Sequence, residues 1–173
     1  MTLPRRALAL LPLAALPFGA AARSTWYAVR GPGKVFIVDM PAEPVYKVVD
    51  TTSPAGTRFD THSYSLDHGG LSFAAQAATL PADIDLGNPR AWLQAVLDDR
   101  AQRLSGGRWS RVEWRDLQGV PVADATGSVA DGRQLRQLVL LRGRLTVSLA
   151  CLGPAAQMRT QTVERFFSSL RLG

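Results

Sequence analysis

The sequence has a single cysteine, Cys151, among its 173 residues. A lone cysteine cannot form a disulfide within the chain, so the fold must be stabilised by its hydrophobic core whatever the redox state of its compartment. Cys151 falls on the apolar side of an alternating segment, residues 145–152, where a thiol is usually buried and unreactive. It is therefore not a candidate nucleophile.

Other chemical signals are also scarce. The chain has only two lysines beside 18 arginines, and its 14 acidic residues leave a formal net charge of +6. Such a mild excess does not indicate a nucleic-acid-binding surface. No Gly-x-Ser-x-Gly motif exposes a serine nucleophile; Ser128, in ATGSVA, lacks it. We predict no catalytic residues and no cofactor.

The N-terminal segment has the pattern of an export signal. Arg5 and Arg6 precede a 14-residue apolar run, residues 7–20, and small residues follow at an Ala-x-Ala spacing. The run is shorter than the roughly 20 residues of a membrane-spanning helix, and no nearby cysteine could accept a lipid anchor. We predict a cleavable signal peptide at residues 1–22 and a single domain at residues 23–173, with a net charge of +4 after cleavage. The protein is expected to be periplasmic or secreted, exported by the Sec route or, since two arginines are adjacent, by the twin-arginine route.

Hydrophobic periodicity predicts an α+β fold around an antiparallel sheet. Segments rich in β-branched and aromatic residues alternate with Gly and Pro turns, which is typical of strands. The predicted strands are residues 35–38, 45–51, 58–66, 71–79, 109–117, 120–129, 134–141 and 145–152. Asn88 and Pro89 open a helix between the fourth and fifth strands, and its inward stripe is apolar apart from Arg100. A last helix is predicted at residues 158–170.

Both histidines lie in one stretch, FDTHSYSLDH, residues 59–68. On a strand, Asp60 and His62 share a face, and His68 at the strand end could complete a zinc or copper site. Six residues of strand span about 20 Å, however, so one ion cannot contact both histidines unless the chain folds back. We interpret the stretch as an ordinary strand. A metal-binding or hydrolytic protein centred on Asp60, His62 and His68 is kept as the alternative function.

Arginines cluster after the first helix. The partner-binding candidates are Arg108, Arg111, Trp114, Arg115 and Arg136, and further arginines stand at positions 133, 142 and 144. Guanidinium groups on one side of a sheet could hold a carboxylate, a phosphate or an acidic protein surface, and tryptophan could add interface area. The alternative is a solvated sheet edge that charge protects from aggregation.

Several phrases recur in an order that resembles a known family. They are FIVDMPAEP, GTRFDTHSYSL, LSGGR after the helix, LQGVPV, DGRQLRQLVLLRGRLTVSLAC and VERFFSSLRLG. The chain resembles exported bacterial proteins with a PsbP-like fold, although Leu145-Thr146 and Leu170 stand where that family often has tyrosine and phenylalanine. The resemblance implies an α/β/α sandwich without a common catalytic set, whose relatives bind photosystem proteins in plants or a small GTPase. We therefore expect a non-enzymatic periplasmic binding or assembly module, whose partner is another exported or membrane protein.

Overall fold

The structure is a computed structural model that describes residues 26–173. The predicted signal peptide lies outside the described residues. Within residues 26–173 the chain forms ten β-strands and two α-helices. The strands are β1 (Tyr27–Arg30), β2 (Phe36–Met40), β3 (Val45–Thr52), β4 (Arg58–His68), β5 (Leu71–Thr79), β6 (Arg111–Leu117), β7 (Val120–Ser128), β8 (Gln134–Arg142), β9 (Leu145–Gly153) and β10 (Arg171–Leu172), and the helices are α1 (Pro89–Ala101) and α2 (Gln161–Ser168).

Seven of the strands form one antiparallel sheet in the order β3-β4-β5-β9-β8-β7-β6. A smaller antiparallel sheet has the order β1-β2-β10. Strands of the large sheet that follow one another in the chain pair through short turns, except β5 and β6. Those two strands are joined by a connection that contains α1, and β5 pairs with β9 instead. The strand order leaves β3 and β6 as the two edges of the large sheet.

Side chains of the central strands alternate between two separate cores. One face of the large sheet, called here the α2 face, buries Val122, Leu140 and Val147 against α2 and the small sheet. The opposite face, called the α1 face, buries Ala123 and Val139 against α1. Both faces are therefore apolar at the centre, so each needs a covering layer.

Local signals set the limits of α1. The side-chain oxygen of Asn88 accepts a hydrogen bond from the backbone nitrogen of Ala91 at 3.0 Å, and Pro89 occupies the first helical position. Leu93 and Leu97 then point into the core of the α1 face and are fully buried. This is the helix start that the sequence predicts.

The predicted α+β class with an antiparallel sheet is confirmed. The last helix is shorter than predicted, because residues 157–159 form a separate 3-10 turn and α2 begins only at Gln161. Strands β1 and β10 were not predicted. They are four and two residues long and are held by pairing with β2.

The aromatic contacts of α2 generate a stability prediction. Phe166 is fully buried, with its ring centroid 5.2 Å from that of Phe73 and 5.1 Å from that of Phe167. We expect Phe166→Ala to lower the free energy of unfolding by about 3–5 kcal/mol, because it removes buried surface and leaves a cavity. Urea denaturation measures this. The control Ser168→Ala, at an exposed position of the same helix, should change it by less than about 0.5 kcal/mol.

Candidate functional site

The candidate arginines lie around strands β6 to β8. Strand pairing sets Arg111 opposite Thr126, Arg115 opposite Val122, and Arg136 opposite Thr126, so these three arginines share the α2 face. Trp114 lies on the α1 face, where the Arg90 guanidinium is 4.6 Å from its ring centroid. Arg108 is exposed and precedes β6. The structure thus brings three of the five candidates together.

Asp124 is the centre of this group. Arg136 donates from Nε to Oδ1 at 3.0 Å and from Nη2 to Oδ2 at 2.9 Å, which is a bidentate ion pair. Arg115 approaches the same Oδ2 at 2.9 Å from the exposed side. The Asp124 side chain is only 6% exposed, so its charge depends on these two guanidinium groups for compensation.

Arg136 has further contacts with α2. Its Nη1 donates to Glu164 at 3.0 Å, and its guanidinium lies 4.3 Å from the ring centroid of Phe167. Burial lowers the pKa of Arg136, but the hydrogen bond and charge of Asp124, with those of Glu164, outweigh burial and raise it. All three guanidinium nitrogens of Arg136 have carboxylate partners. Arg136 therefore joins α2 to the sheet and has little capacity left for a ligand.

A polar cleft of about 490 Å³ lies over this network. Arg111 and Arg159 line it together with Glu113 and Glu164, and Arg111 is paired with Glu113. Positive and negative groups are thus interspersed along the cleft. This mixture is what a charge-protected sheet edge at β6 requires, and it weakens the attraction for an acidic ligand.

The hairpin arginines are used elsewhere. Arg144 donates from Nε to the carbonyl oxygen of Leu80 at 2.8 Å and from Nη2 to that of Ile84 at 2.9 Å. Arg142 donates to the carbonyl oxygen of Gly173 at 2.8 Å. These arginines fix backbone segments and do not extend the group around Asp124.

The histidine-bearing strand is regular along its whole length. Pairing sets His62 opposite Ala77 and His68 opposite Leu71, so Asp60, His62 and His68 share the α2 face, as alternation predicts. His62 is six residues from His68, about 20 Å along a strand. Its Nδ1 is 2.7 Å from the Tyr46 hydroxyl, and the two rings stack. Among residues 26–173, no three His, Cys, Asp or Glu side chains are grouped as metal ligands.

Strand β3 is predicted by the sequence as residues 45–51, but sequence reasoning missed its exposure. Four large apolar side chains of this eight-residue edge strand are about half exposed: Val45 at 59%, Tyr46 and Val48 at 49%, and Val49 at 48%. Val45 and Val49 lie on the α1 face, and Tyr46 and Val48 lie on the α2 face. The sequence VYKVVDTT does carry a signal, since apolar residues occupy both parities of the strand. Only the strand order reveals that these residues are uncovered.

Cys151 lies on the α2 face beside the arginine group, directly opposite Arg136. The thiol is buried, and burial raises its pKa to about 12 although the charge of Arg136 opposes the shift. A thiol with so high a pKa is protonated at neutral pH. The expectation of an unreactive cysteine thus has a structural reason.

Comparison with known proteins identifies the fold. No family model matches the chain, and no curated protein matches its sequence. Among solved structures, the chain is similar to those with a PsbP-like fold, and this is the fold of the chain. The solution structure of cyanobacterial PsbP (CyanoP) from Synechocystis sp. PCC 6803 aligns with 90% of this chain and 96% of its own, with a TM-score of 0.60 and 14% sequence identity. At this identity the likeness concerns the fold alone.

In the part of the chain that the structure describes, no helix is long and apolar enough to cross a membrane.

The Asp124 network generates a second stability prediction. We expect Asp124→Asn to lower the free energy of unfolding by about 3 kcal/mol, because it leaves the largely buried Arg136 with Glu164 as its remaining anionic partner. Glu113→Gln is the matched control. Its ion pair with Arg111 is exposed, so the loss should stay below about 1 kcal/mol. Equal losses in the two variants, measured by urea denaturation, would show that Asp124 has no special structural role.

The raised pKa of Cys151 predicts its reactivity. At about pH 8, near the pKa of an ordinary thiol, a thiol-specific reagent should label the folded protein far more slowly than the urea-unfolded protein. The reason is that the folded state holds the thiol protonated and buried. Rapid, complete labelling of the folded protein, followed by absorbance, would contradict this prediction.

Proposed function

We propose that this protein is a non-enzymatic binding module of the periplasm that holds an extended segment of another exported or membrane protein along β3. The observation that carries the proposal is the exposure of four large apolar side chains on an edge strand. The PsbP-like fold is compatible with this function but does not establish it.

The two edge strands of the large sheet, β3 and β6, differ in length and in their number of charged residues. Strand β3 has the features of an edge that binds a partner, and β6 has those of an edge protected from pairing. Strand β6 has four charged residues among its seven: Arg111, Glu113, Arg115 and Asp116. Charged side chains discourage pairing with another chain. Strand β3 is longer and has two charged residues among eight, Lys47 and Asp50. An edge of this length and apolarity is a hazard for aggregation unless a partner covers it.

A partner strand would find both backbone and side-chain contacts at β3. Addition of a strand to a sheet edge obtains affinity from main-chain hydrogen bonds and specificity from alternate side chains. On the α1 face, Val45 borders a groove of about 500 Å³ whose floor includes Ala74 and Ala150. On the α2 face, Tyr46 lies beside Tyr64, with ring centroids 4.9 Å apart. These features suit a partner segment with apolar residues on both faces.

The remaining expectations belong to the same proposal. The N-terminal pattern supports export, cleavage after Ala22 and a mature chain that begins at Arg23. We also propose the description of the fold as an α/β/α sandwich, with α1 and α2 as the outer layers. Arg108, Arg111, Trp114 and Arg115 remain the second candidate contact surface, and the proposal includes no nucleic acid. The separation of His62 from His68 gives no support to a metal-dependent function.

Site-specific photo-crosslinking in the host periplasm tests the proposal. A photoreactive amino acid replaces Val48 on β3 or, as the control, Glu113 on β6. We expect a discrete adduct from position 48 and none from position 113. Val49→Lys in the same chain should reduce that adduct at least about tenfold, because a charge opposes burial of the edge. An unchanged melting temperature would show that the fold is intact.

Two outcomes would contradict the proposal. Adducts from position 113 alone would move the contact surface to β6 and its arginines. A chain that forms no discrete adduct from either position would not be a protein-binding module.

A further inference from the structure

A small cavity of about 170 Å³ lies between α1 and the α1 face of the sheet. Trp92 and Val96 of α1 form its apolar side together with Phe59 of β4. Arg100 of α1 and the hydroxyl groups of Thr61 and Ser148 also line it. The cavity therefore combines apolar walls with one cationic group, and none of the proposed contact residues of β3 or β6 lines it.

Arg100 is unlike the other inward-facing arginines. Arg136 and Arg144 have partners for their guanidinium groups. Among residues 26–173, no carboxylate lies within ion-pair distance of Arg100, and its guanidinium donates no hydrogen bond to a protein acceptor. Burial lowers the pKa of Arg100, the charge of Arg103 lowers it further, and Asp99 opposes them. A half-buried cation without a partner is costly to the folded state, so an anionic partner would relieve that cost.

Ser148 is a second polar group that lines this cavity. The residue is only 8% exposed. A hydroxyl group can both donate and accept hydrogen bonds, so it can bind a polar atom of a ligand in the cavity. The hydroxyl groups of Thr51 and Thr61, which also line the cavity, are 2.9 Å apart and are hydrogen-bonded to each other.

We propose that this cavity is a binding site for a small apolar carboxylate of about the size of benzoate. The Arg100 guanidinium donates hydrogen bonds to the carboxylate oxygens, and the Ser148 hydroxyl donates another. Trp92, Val96 and Phe59 pack against the apolar body of the ligand. The size follows from the volume, since a cavity of about 150 Å³ holds a benzene ring. One arginine among apolar walls suits a monocarboxylate better than a phosphate, which needs more donors.

Titration of the mature protein with benzoate, followed by amide NMR shifts, tests this site. Benzyl alcohol is the neutral match, with a similar apolar body and no charge. We expect benzoate to shift amides of α1, β5 and β9 saturably, with a dissociation constant of about 1 mM. Benzyl alcohol should bind at least about tenfold more weakly.

Variants assign the binding to the cavity. Arg100→Gln should weaken benzoate at least about tenfold and should raise the melting temperature of the ligand-free protein, because it removes an unpaired charge. Arg103→Gln, two residues beyond the end of α1 and exposed, is the control and should leave the dissociation constant unchanged. Ser148→Ala is a smaller change and should weaken the binding of benzoate severalfold. It gives a second measurement if Arg100→Gln does not fold.

Three results would overturn the proposal. They are the absence of saturable shifts up to about 10 mM benzoate, equal binding of benzoate and benzyl alcohol, and benzoate shifts confined to the polar cleft around Asp124. Retention of the wild-type affinity in both Ser148→Ala and Arg100→Gln would also place the ligand elsewhere. None of these results depends on whether β3 binds a partner.

Discussion

The structure depends on one constraint, namely that the central strands of the seven-stranded sheet are apolar on both faces. Adjacent residues such as Val122 and Ala123 are both fully buried although they point in opposite directions. Such a sheet is stable only when each face is covered. Buried residues of α1 pack against the centre of one face, and buried residues of α2 and the small sheet pack against the centre of the other. Because this packing is centred on the middle strands, the outer strand β3 stays exposed, and the open cavity at Arg100 lies between α1 and the sheet.

The covering of the α2 face requires charge compensation as well as apolar contact. Asp124 points into the same face as the buried Val120 and Val122 of β7, and Arg136 reaches it from the neighbouring strand. The same guanidinium contacts Glu164 of α2 and lies over Phe167, so a single side chain joins the sheet to its cover. This explains why an arginine that the sequence marks as a partner-binding candidate has carboxylate partners within the fold. A cluster of basic residues in a sequence forms a binding surface only if acidic residues of the same fold do not pair with it. The sequence alone does not show which acidic residues lie beside the cluster.

Much of the fold could be predicted because its signals are local. The limits of β5 follow from Gly69-Gly70 before it and from alternation along it, and the start of α1 follows from Asn88 and Pro89. Strands β1 and β10 could not be predicted, since they exist through pairing with β2, which for β10 is more than 130 residues away. The exposure of β3 also depends on long-range strand order. In the candidate sites, the sequence does distinguish Arg100 as the one charge in an apolar stripe, but only the structure shows that no carboxylate meets it.

Arg100 and Arg136 both lie where a helix packs on the sheet, but only Arg136 has carboxylate partners within residues 26–173. Both Arg100 and Arg136 are removed in part from solvent, and burial lowers the pKa of each. At Arg136 two carboxylates favour the charged form, so the group contributes to stability, and each of its three nitrogens already has a carboxylate partner. At Arg100 the described chain supplies no such partner, although the apolar stripe of α1 would accept leucine at that position. An unpaired cation that destabilises the free protein is typical of a group whose partner arrives from outside. The presence or absence of a carboxylate partner in the described chain therefore assigns a structural role to Arg136 and a ligand-binding role to Arg100.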